Sequence, residues 1–500
     1  MAGVKSLAKD TAIYGLSSII GRFLNWCLVP MYTFVFPKEE YGIVTFVFSV
    51  ISLVLVVLIC GMETGFFRFA NHDRWRDPMQ VYSTALISLA ASGTIFFALI
   101  LAFLSPVTEA MKCGHHTSYI WMMALCTAID AFSALPFSYL RYRKKAIRFA
   151  TLRLVNIAIN IGFNLFFILL CPWLMQVAPG TVDWFYDPSF GVGYIFLANL
   201  IASAATLLMQ IPELTGFRWQ FCPKLWREMM AYSLPLLVLG VAGIMNQTID
   251  KILLPYLATG PDVMGMLGIY GANYKIAIIM VLFIQAFRFA YEPFIFAQNR
   301  QGDKTSHKAY SDAMKYFVIM ALLIFMGVMF YLDIIKYFIS PRYFEGLAIV
   351  PVVMMAELFF GIFFNLSVWY KITDRTSWGA WFSLLGLSVT IGLNALLVPR
   401  YGYMGCAWAA FCCYLVMMLT SYFVGQAKYP IEYPLKRIAA YTAVAAVLYC
   451  TGMYLAVTPW TWANWLIRAL LIGAYICVVC RYEHIRLSDI TKPIFAKIRR

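Results

Sequence analysis

TAIYGLSSIIGRFLNWCLVPMYTF, residues 11–34, is a continuous apolar run broken near its middle by one strong charge, Arg22. As a helix, a run of this length crosses roughly 30 Å of hydrocarbon. A barrel strand would alternate apolar and polar residues instead. The run has no small-residue cleavage pattern, so a retained span is expected here and not a signal peptide. Arg22 lies about 11 residues from either end, roughly 16 Å along the axis, too deep to snorkel easily. A charge at that depth costs at least ~2.5 kcal/mol, so it is normally kept for a pathway, a counter-ion or a ligand.

The rest of the chain repeats this pattern. It is 62% hydrophobic and 13% charged over 500 residues, about half the charge of a soluble domain. The apolar runs predict an all-α polytopic membrane protein of about 14 transmembrane helices. They fall near residues 11–33, 42–66, 80–104, 116–140, 148–171, 190–212, 232–256, 265–297, 309–331, 345–370, 376–398, 402–424, 436–456 and 461–480. An even count puts both termini on one side. Of the 39 Lys and Arg, 27 fall in the segments sharing the side of the termini, including Lys5, Lys9, the loops around Arg141 and Lys304, and the tail from Arg481. Only 5 fall opposite: Lys38, Lys112, Lys336, Arg342 and Arg400. The positive-inside rule then predicts cytoplasmic termini. The net charge of +15 is thereby a matter of topology and anionic headgroups, and calls for no nucleic acid.

Several chemistries are disfavoured. The 12 Cys give no disulfide framework, and Cys477 and Cys480 read as small apolar helix residues. His115 and His116 beside Cys113 read as a solvated loop, so no metal is expected. There is no phosphate-binding G-x-x-x-x-G-K-[ST] motif, and no cofactor is called for. All loops are short. The longest expected outer loop, residues 172–190, carries Asp183 and Asp187 without Lys or Arg. A membrane-embedded polymerase or ligase, the rival from another class, would be expected to carry catalytic residues on a large outer loop.

Two stretches look alike. PMYTFVFPKEEYG runs from Pro30 to Gly42, and PYLATGPDVMGMLG from Pro255 to Gly268. Each is a proline-ended span, a short outer loop and a glycine opening the next helix. Such a repeat fits a parallel 6 + 6 transporter plan. The expected division is 1–220 for a first six-helix bundle, 221–430 for a second, and 431–500 for two further helices and a basic tail. Arg468 is the one strong charge in the interiors of those last two spans, 436–456 and 461–480.

Polar residues recur at helical spacing inside the spans. Tyr14, Ser18, Arg22 and Asn25 share one face. So do Arg153, Asn156, Asn160 and Asn164. Asn246 and Asp250 form one row, beside Gln247 and Lys251; Gln285, Arg288 and Glu292 form another, with Lys275 on a different face. Glu357, Gly361 and Asn365 share a row, and Asp130 and Glu63 stand in spans 4 and 2. Arg22, Lys251, Arg153, Lys275 and Arg288 are the candidate cationic lining of a cavity, with Asn25, Asn160 and Asn246 as its polar residues. Asp130, Glu357, Asp250 and Glu63 are candidates for ion coupling, or equally counter-ions. The Asn row of span 5 could simply join helices. Asp250 and Lys251, about 100° apart on a helix, are expected to need separate partners. Arg suits phosphate because its planar fork binds oxygen pairs.

With these residues in view, the chain resembles Wzx-type polysaccharide flippases, of the superfamily that also holds lipid II flippases and MATE exporters. The resemblance rests on residues 11–33, EEYGIVTFVFSV, GMETGFFRFA, YSLPLL…NQTIDKILL, GIYGANYKIA…AFRFAYEPF, NLSVWYKITDRT and VPRYGYMGCAWA, in that order. It implies two six-helix bundles around a central cavity, two extra helices, and a bacterial inner-membrane location. It also implies alternating access that moves undecaprenyl-diphosphate-linked oligosaccharide to the outer leaflet for O-antigen, capsule or exopolysaccharide synthesis. Possible partners are then a polysaccharide polymerase and chain-length machinery. A basic residue in the first helix and one in the seventh are typical of the family, at the positions of Arg22 and Lys251. In the lipid II branch an acid follows the first-helix basic residue, whereas Phe23 follows Arg22. A drug exporter of the same fold would favour organic cations and an acidic cavity, against the basic one inferred.

Overall fold

A computed structural model of the chain describes residues 15, 17, 19–71, 75, 77–114, 116–215, 219–298, 303–455 and 461–484. Tyr14, Ser18, His115, Lys5, Lys9 and most of the basic tail lie outside them. Among the described residues eleven helices are long and apolar enough to cross a membrane. Two shorter apolar helices and Leu435–Leu455 complete a set that matches the fourteen expected spans. They are α1 (Ile19–Val35), α2 (Lys38–Ala70), α3 (Pro78–Ala102), α4 (Thr117–Tyr142), α5 (Ala146–Val177), α6 (Gly193–Met209), α7 (Pro223–Leu257), α8 (Val263–Gln298), α9 (Asp303–Phe330), α10 (Ile349–Ile372), α11 (Ser377–Tyr401), α12 (Tyr403–Lys428), α13 (Leu435–Leu455) and α14 (Thr461–Tyr482).

Local sequence explains their ends and breaks. Glu39 and Glu40 fill the first turn of α2, where the helix dipole favours acids. The Asp77 side chain accepts from the Met79 N–H, and Pro78 opens α3, a position where its missing N–H costs nothing. Inside α2 the chain breaks at Cys60 and Gly61, both left-handed (φ 50° and 67°), and resumes at Met62. In α5 a π-turn at Phe166–Leu170 precedes Pro172; the wider turn absorbs a ring that would clash with an α-helical carbonyl.

The contacts gather the chain into two compact units. The first comprises 1–275, 342–346 and 380–413; the second comprises 276–341, 347–379 and 414–500. This grouping cuts across the sequence division at 220 and 430, and α8 passes from one unit to the other after Lys275.

Within the first unit the two repeat glycines meet. A Cβ added at Gly42 would stand 1.9 Å from the Met264 carbonyl oxygen, and one added at Gly268 would stand 1.9 Å from the Lys38 carbonyl oxygen. Each glycine therefore sits against the carbonyl four residues before the other, so α2 and α8 cross with an approximate two-fold relation. Only residues without a Cβ let two helix backbones come this close. Around this crossing, Lys38 bridges Asp262 (3.4 Å) and Glu345 (3.5 Å). The Tyr343 hydroxyl donates to the Phe36 carbonyl at 3.1 Å, and the Asn273 amide donates to the Tyr343 carbonyl at 2.8 Å. Lys112 donates to the Pro255 carbonyl, and Tyr256 to that of Ala110, each at 2.6 Å.

In the second unit, α13 and α14 are pinned to α9 at both ends. Buried Lys315 lies 2.5 Å from Glu483, which also accepts from the Tyr441 hydroxyl at 2.6 Å. Arg468, the strong charge in the interior of α14, reaches Asp333 (2.7 Å) and the Phe330 carbonyl (2.6 Å).

Candidate functional site

In the first unit α8, which carries Lys275, is held by α1, which carries Arg22, and by α7, which carries Lys251. The Trp26 indole N–H donates to the Lys275 carbonyl at 2.7 Å, which fixes α1 against α8. Arg22 stands one helical turn from Trp26, on the same face, and is exposed, as is Asn25. Lys275 follows Tyr274, whose ring centre lies 4.2 Å from the Lys251 ammonium. Among the described residues Lys275 makes no ion pair. One region thus concentrates positive charge at the depth of the spans.

Lys251 is buried and occupied. Its ammonium is 3.1 Å from each Asp250 carboxylate oxygen and 3.0 Å from the Gln247 carbonyl. It lies 4.2 Å from the centre of the Tyr274 ring and 5.4 Å from that of Tyr270. The Tyr270 hydroxyl donates to Asp250 Oδ2 at 2.6 Å, and the Cys406 thiol approaches the Asp250 carbonyl at 3.6 Å. The expectation that Asp250 and Lys251 take separate partners is therefore corrected: they pair with each other. A four-carbon lysine stem is long enough to curl across the angle that separates adjacent residues on a helix. Tyr270 and Tyr274 had no part in the sequence reading. Their signal was present as an i,i+4 aromatic row in GIYGANYKIA, which is more often core than site.

Of the candidate asparagines Asn246 joins two helices, and Asn160 supports a row that does. Asn160 is buried, and its carbonyl and side-chain oxygens accept from the Asn164 amide at 2.7 and 3.1 Å. Asn164 in turn accepts from the Tyr32 hydroxyl at 2.9 Å, tying α5 to α1. Asn156 donates to the Ala202 carbonyl (3.0 Å) and the Thr206 hydroxyl (2.8 Å) of α6. Asn246 donates to the Ser383 carbonyl of α11 at 2.8 Å. Such bonds are worth about 0.6–2 kcal/mol each in a membrane.

A second polar group in the same unit lies on α2, α4 and α5. Asp130 is half-buried, with the Cys126 thiol 3.9 Å from its Oδ2 and 3.4 Å from the Ser203 hydroxyl, and with the Arg153 charge acting on it. Arg153 is accessible, and its guanidinium lies 4.1 Å from the centre of the Phe137 ring. Glu63 is joined to Arg141 at 2.9 Å, the geometry of a counter-ion; no feature of the sequence tied these two residues together. Arg288 and Glu357 belong to the second unit. The Arg288 guanidinium lies over the Phe364 ring at 4.2 Å, and the Lys371 ammonium over the same ring at 4.3 Å. Glu357 is buried one turn before Gly361, where a Cβ would meet the Phe317 ring at 2.3 Å. Among the described residues no group of His, Cys, Asp and Glu could hold a metal ion.

Comparison with known proteins agrees with this architecture. No curated protein sequence matches the chain. Its fold is similar to that of the lipid II flippase MurJ in an inward closed conformation, at 15% identity, over 95% of this chain and 99% of that one, with a TM-score of 0.71. It is also similar to an inward-facing multidrug resistance MATE transporter of the MOP superfamily, at 15% identity, over 84% and 95% of the two chains, with a TM-score of 0.66. A MOP superfamily transporter from Pyrococcus furiosus, described as having a binding pocket of reverse polarity, matches at 14% identity over 84% and 95%, with a TM-score of 0.58. Residues 7–296, more than half of the sequence, match the family described as polysaccharide biosynthesis protein, and the chain belongs to that family of multi-pass membrane proteins.

Proposed function

We propose that this protein flips undecaprenyl-diphosphate-linked oligosaccharide from the cytoplasmic to the outer leaflet of a bacterial inner membrane, by alternating access, in the synthesis of O-antigen, capsule or exopolysaccharide. The single observation that carries the reading is the placing of Lys251 against Tyr274, the residue before Lys275, on the helix to which Trp26 of the Arg22-bearing helix is hydrogen-bonded. A diphosphate offers the charge and the oxygen pairs that such a group recognises. The membrane context and the polysaccharide biosynthesis family support a lipid-linked glycan as its carrier. In this reading the termini are cytoplasmic, and residues 1–220 and 221–430 act as two six-helix halves. A polysaccharide polymerase and chain-length machinery take the product at the outer face. Asp130, half-buried beside Arg153, and Glu357, buried in α10, are the acids proposed to couple transport to an ion gradient.

The test is flipping of a fluorescent polyprenyl-diphosphate glycan in proteoliposomes under imposed ion gradients. Wild-type protein should flip it, and Lys275→Ala should not. A wild type that moves the glycan no faster than protein-free vesicles sinks the reading. Coupling is tested with Asp130→Asn and Glu357→Gln, which should bind the glycan yet lose the response to the gradient.

A further inference from the structure

We propose that Asp250 acts as an internal competitor for Lys251, lowering the site's hold on an anionic headgroup so that the headgroup can leave. The proposal rests on the diphosphate reading above and assigns roles within that same site.

An ammonium has three N–H donors. In Lys251 all three have acceptors in place: the two Asp250 oxygens and the Gln247 carbonyl. The charge of Lys251 is thereby answered inside the protein, and only about 11% of its side chain remains accessible. Lys275 differs, since among the described residues no acid pairs with it. The site therefore offers one cation directly and holds the other in reserve.

A phosphate that engages Lys251 must take it from Asp250. A buried carboxylate deprived of its cation is strongly unfavourable unless another donor holds it. Tyr270 supplies that donor, with its hydroxyl 2.6 Å from Asp250 Oδ2. The two partners of Asp250 then have opposite effects on the ligand. Lys251 is contested between Asp250 and the phosphate, while Tyr270 steadies Asp250 when Lys251 turns away. A carrier needs a site of this kind. A headgroup bound by two uncompensated cations in a poorly hydrated interior would bind tightly and leave slowly, and transport requires both steps.

Two substitutions separate this role from a structural one, because they move affinity in opposite directions. Asp250→Asn keeps the shape but frees Lys251 for the ligand. Tyr270→Phe removes the donor that holds Asp250 when it is parted from Lys251. The measurement uses the full-length protein in detergent and in proteoliposomes, with a fluorescent polyprenyl diphosphate as the ligand and the uncharged polyprenol as the control.

For Asp250→Asn, the Kd for the diphosphate should fall by about tenfold or more while the flipping rate also falls. For Tyr270→Phe the Kd should rise. A structural defect would weaken binding and transport together in both variants. If Asp250→Asn binds no more tightly, or binds more tightly and flips as fast as wild type, the role assigned to Asp250 is overturned. If Tyr270→Phe binds as tightly as wild type, the role of Tyr270 is overturned. If wild-type protein does not prefer the diphosphate over the polyprenol, the diphosphate reading itself fails, and this proposal falls with it.

Discussion

Two regions of the first unit hold helices together by opposite means. At the crossing of α2 and α8, contact is made by removing side chains: Gly42 and Gly268 let each backbone lie against the other's carbonyl. Where α1, α7 and α8 meet, contact is made around charge: Lys251 is held by Asp250 and lies against Tyr274, the residue before Lys275. The crossing depends on shape, so any added methyl group disturbs it and salt or pH does not. The charged group depends on sign, so a substitution that keeps the charge preserves much of it. In the function proposed above, the crossing is a closure that must part and the charged group is the place the ligand visits. The difference teaches which substitutions to make at each.

The largest effect is expected at Arg22. Arg22→Ala should reduce glycan export to background with normal protein levels in the membrane, and Arg22→Lys should keep part of it, because the charge survives although the fork is lost. Full complementation by Arg22→Ala would show that charge is not what this region contributes.

Glu483 comes next, because it tests a charged contact away from the site. Its partner Lys315 is buried, so Glu483→Gln should lower stability by about 3–5 kcal/mol, read as a fall in melting temperature in detergent. Burial raises the Glu483 carboxyl, but the Lys315 and Tyr441 hydrogen bonds outweigh it and hold the group below the ordinary glutamate range. A depressed folded value stabilises at pH above the unfolded one, about 4.3, and the contribution is lost as pH falls through the folded value. Melting temperature should therefore drop in acid for wild type and drop less for Glu483→Gln. Equal acid sensitivity would show that this pair does not dock α14.

Gly42→Ala should follow, at about 1–3 kcal/mol against the state in which the crossing is closed. With the native cysteines removed, a cysteine placed at buried Val44 should react faster with an aqueous thiol reagent in Gly42→Ala than beside Gly42. The change should be insensitive to salt. An unchanged rate would mean that the backbones yield without parting.

The smallest effect is expected from Lys38→Met. Of its two carboxylate partners Glu345 is exposed and Asp262 half-buried, and surface pairs are worth about 0–1 kcal/mol and weaken with salt. A change as large as that of Gly42→Ala would show that charge, and not backbone fit, holds the crossing shut.

Much of this was legible in the residues. Continuous apolar runs fixed the number and place of the helices, because length and hydropathy alone decide whether a segment can satisfy its backbone in hydrocarbon. The repeat of Pro30–Gly42 in Pro255–Gly268 pointed to the two glycines that cross. Arg22, Lys251 and Lys275 stood out because charge inside such runs is rare. Less was legible wherever a partner lay far along the chain. Arg141 for Glu63, Tyr270 for Asp250 and Asp333 for Arg468 follow from helix packing, which no local spacing encodes. The Asn row of α5 could be read as lining or as a joint between helices, and its bonds to Tyr32, Ala202 and Thr206 make it a joint.

The sequence by itself determined that this chain is a bundle of membrane-spanning helices with positive charge inside it, because the cost of exposing backbone and charge to hydrocarbon leaves no other arrangement. Only the tertiary structure decided which charges are answered. Whether Lys251 meets Asp250, and whether Lys275 meets an acid at all, depends on a few ångströms of side-chain reach between helices, over which electrostatic energy changes steeply in a poorly polarisable interior.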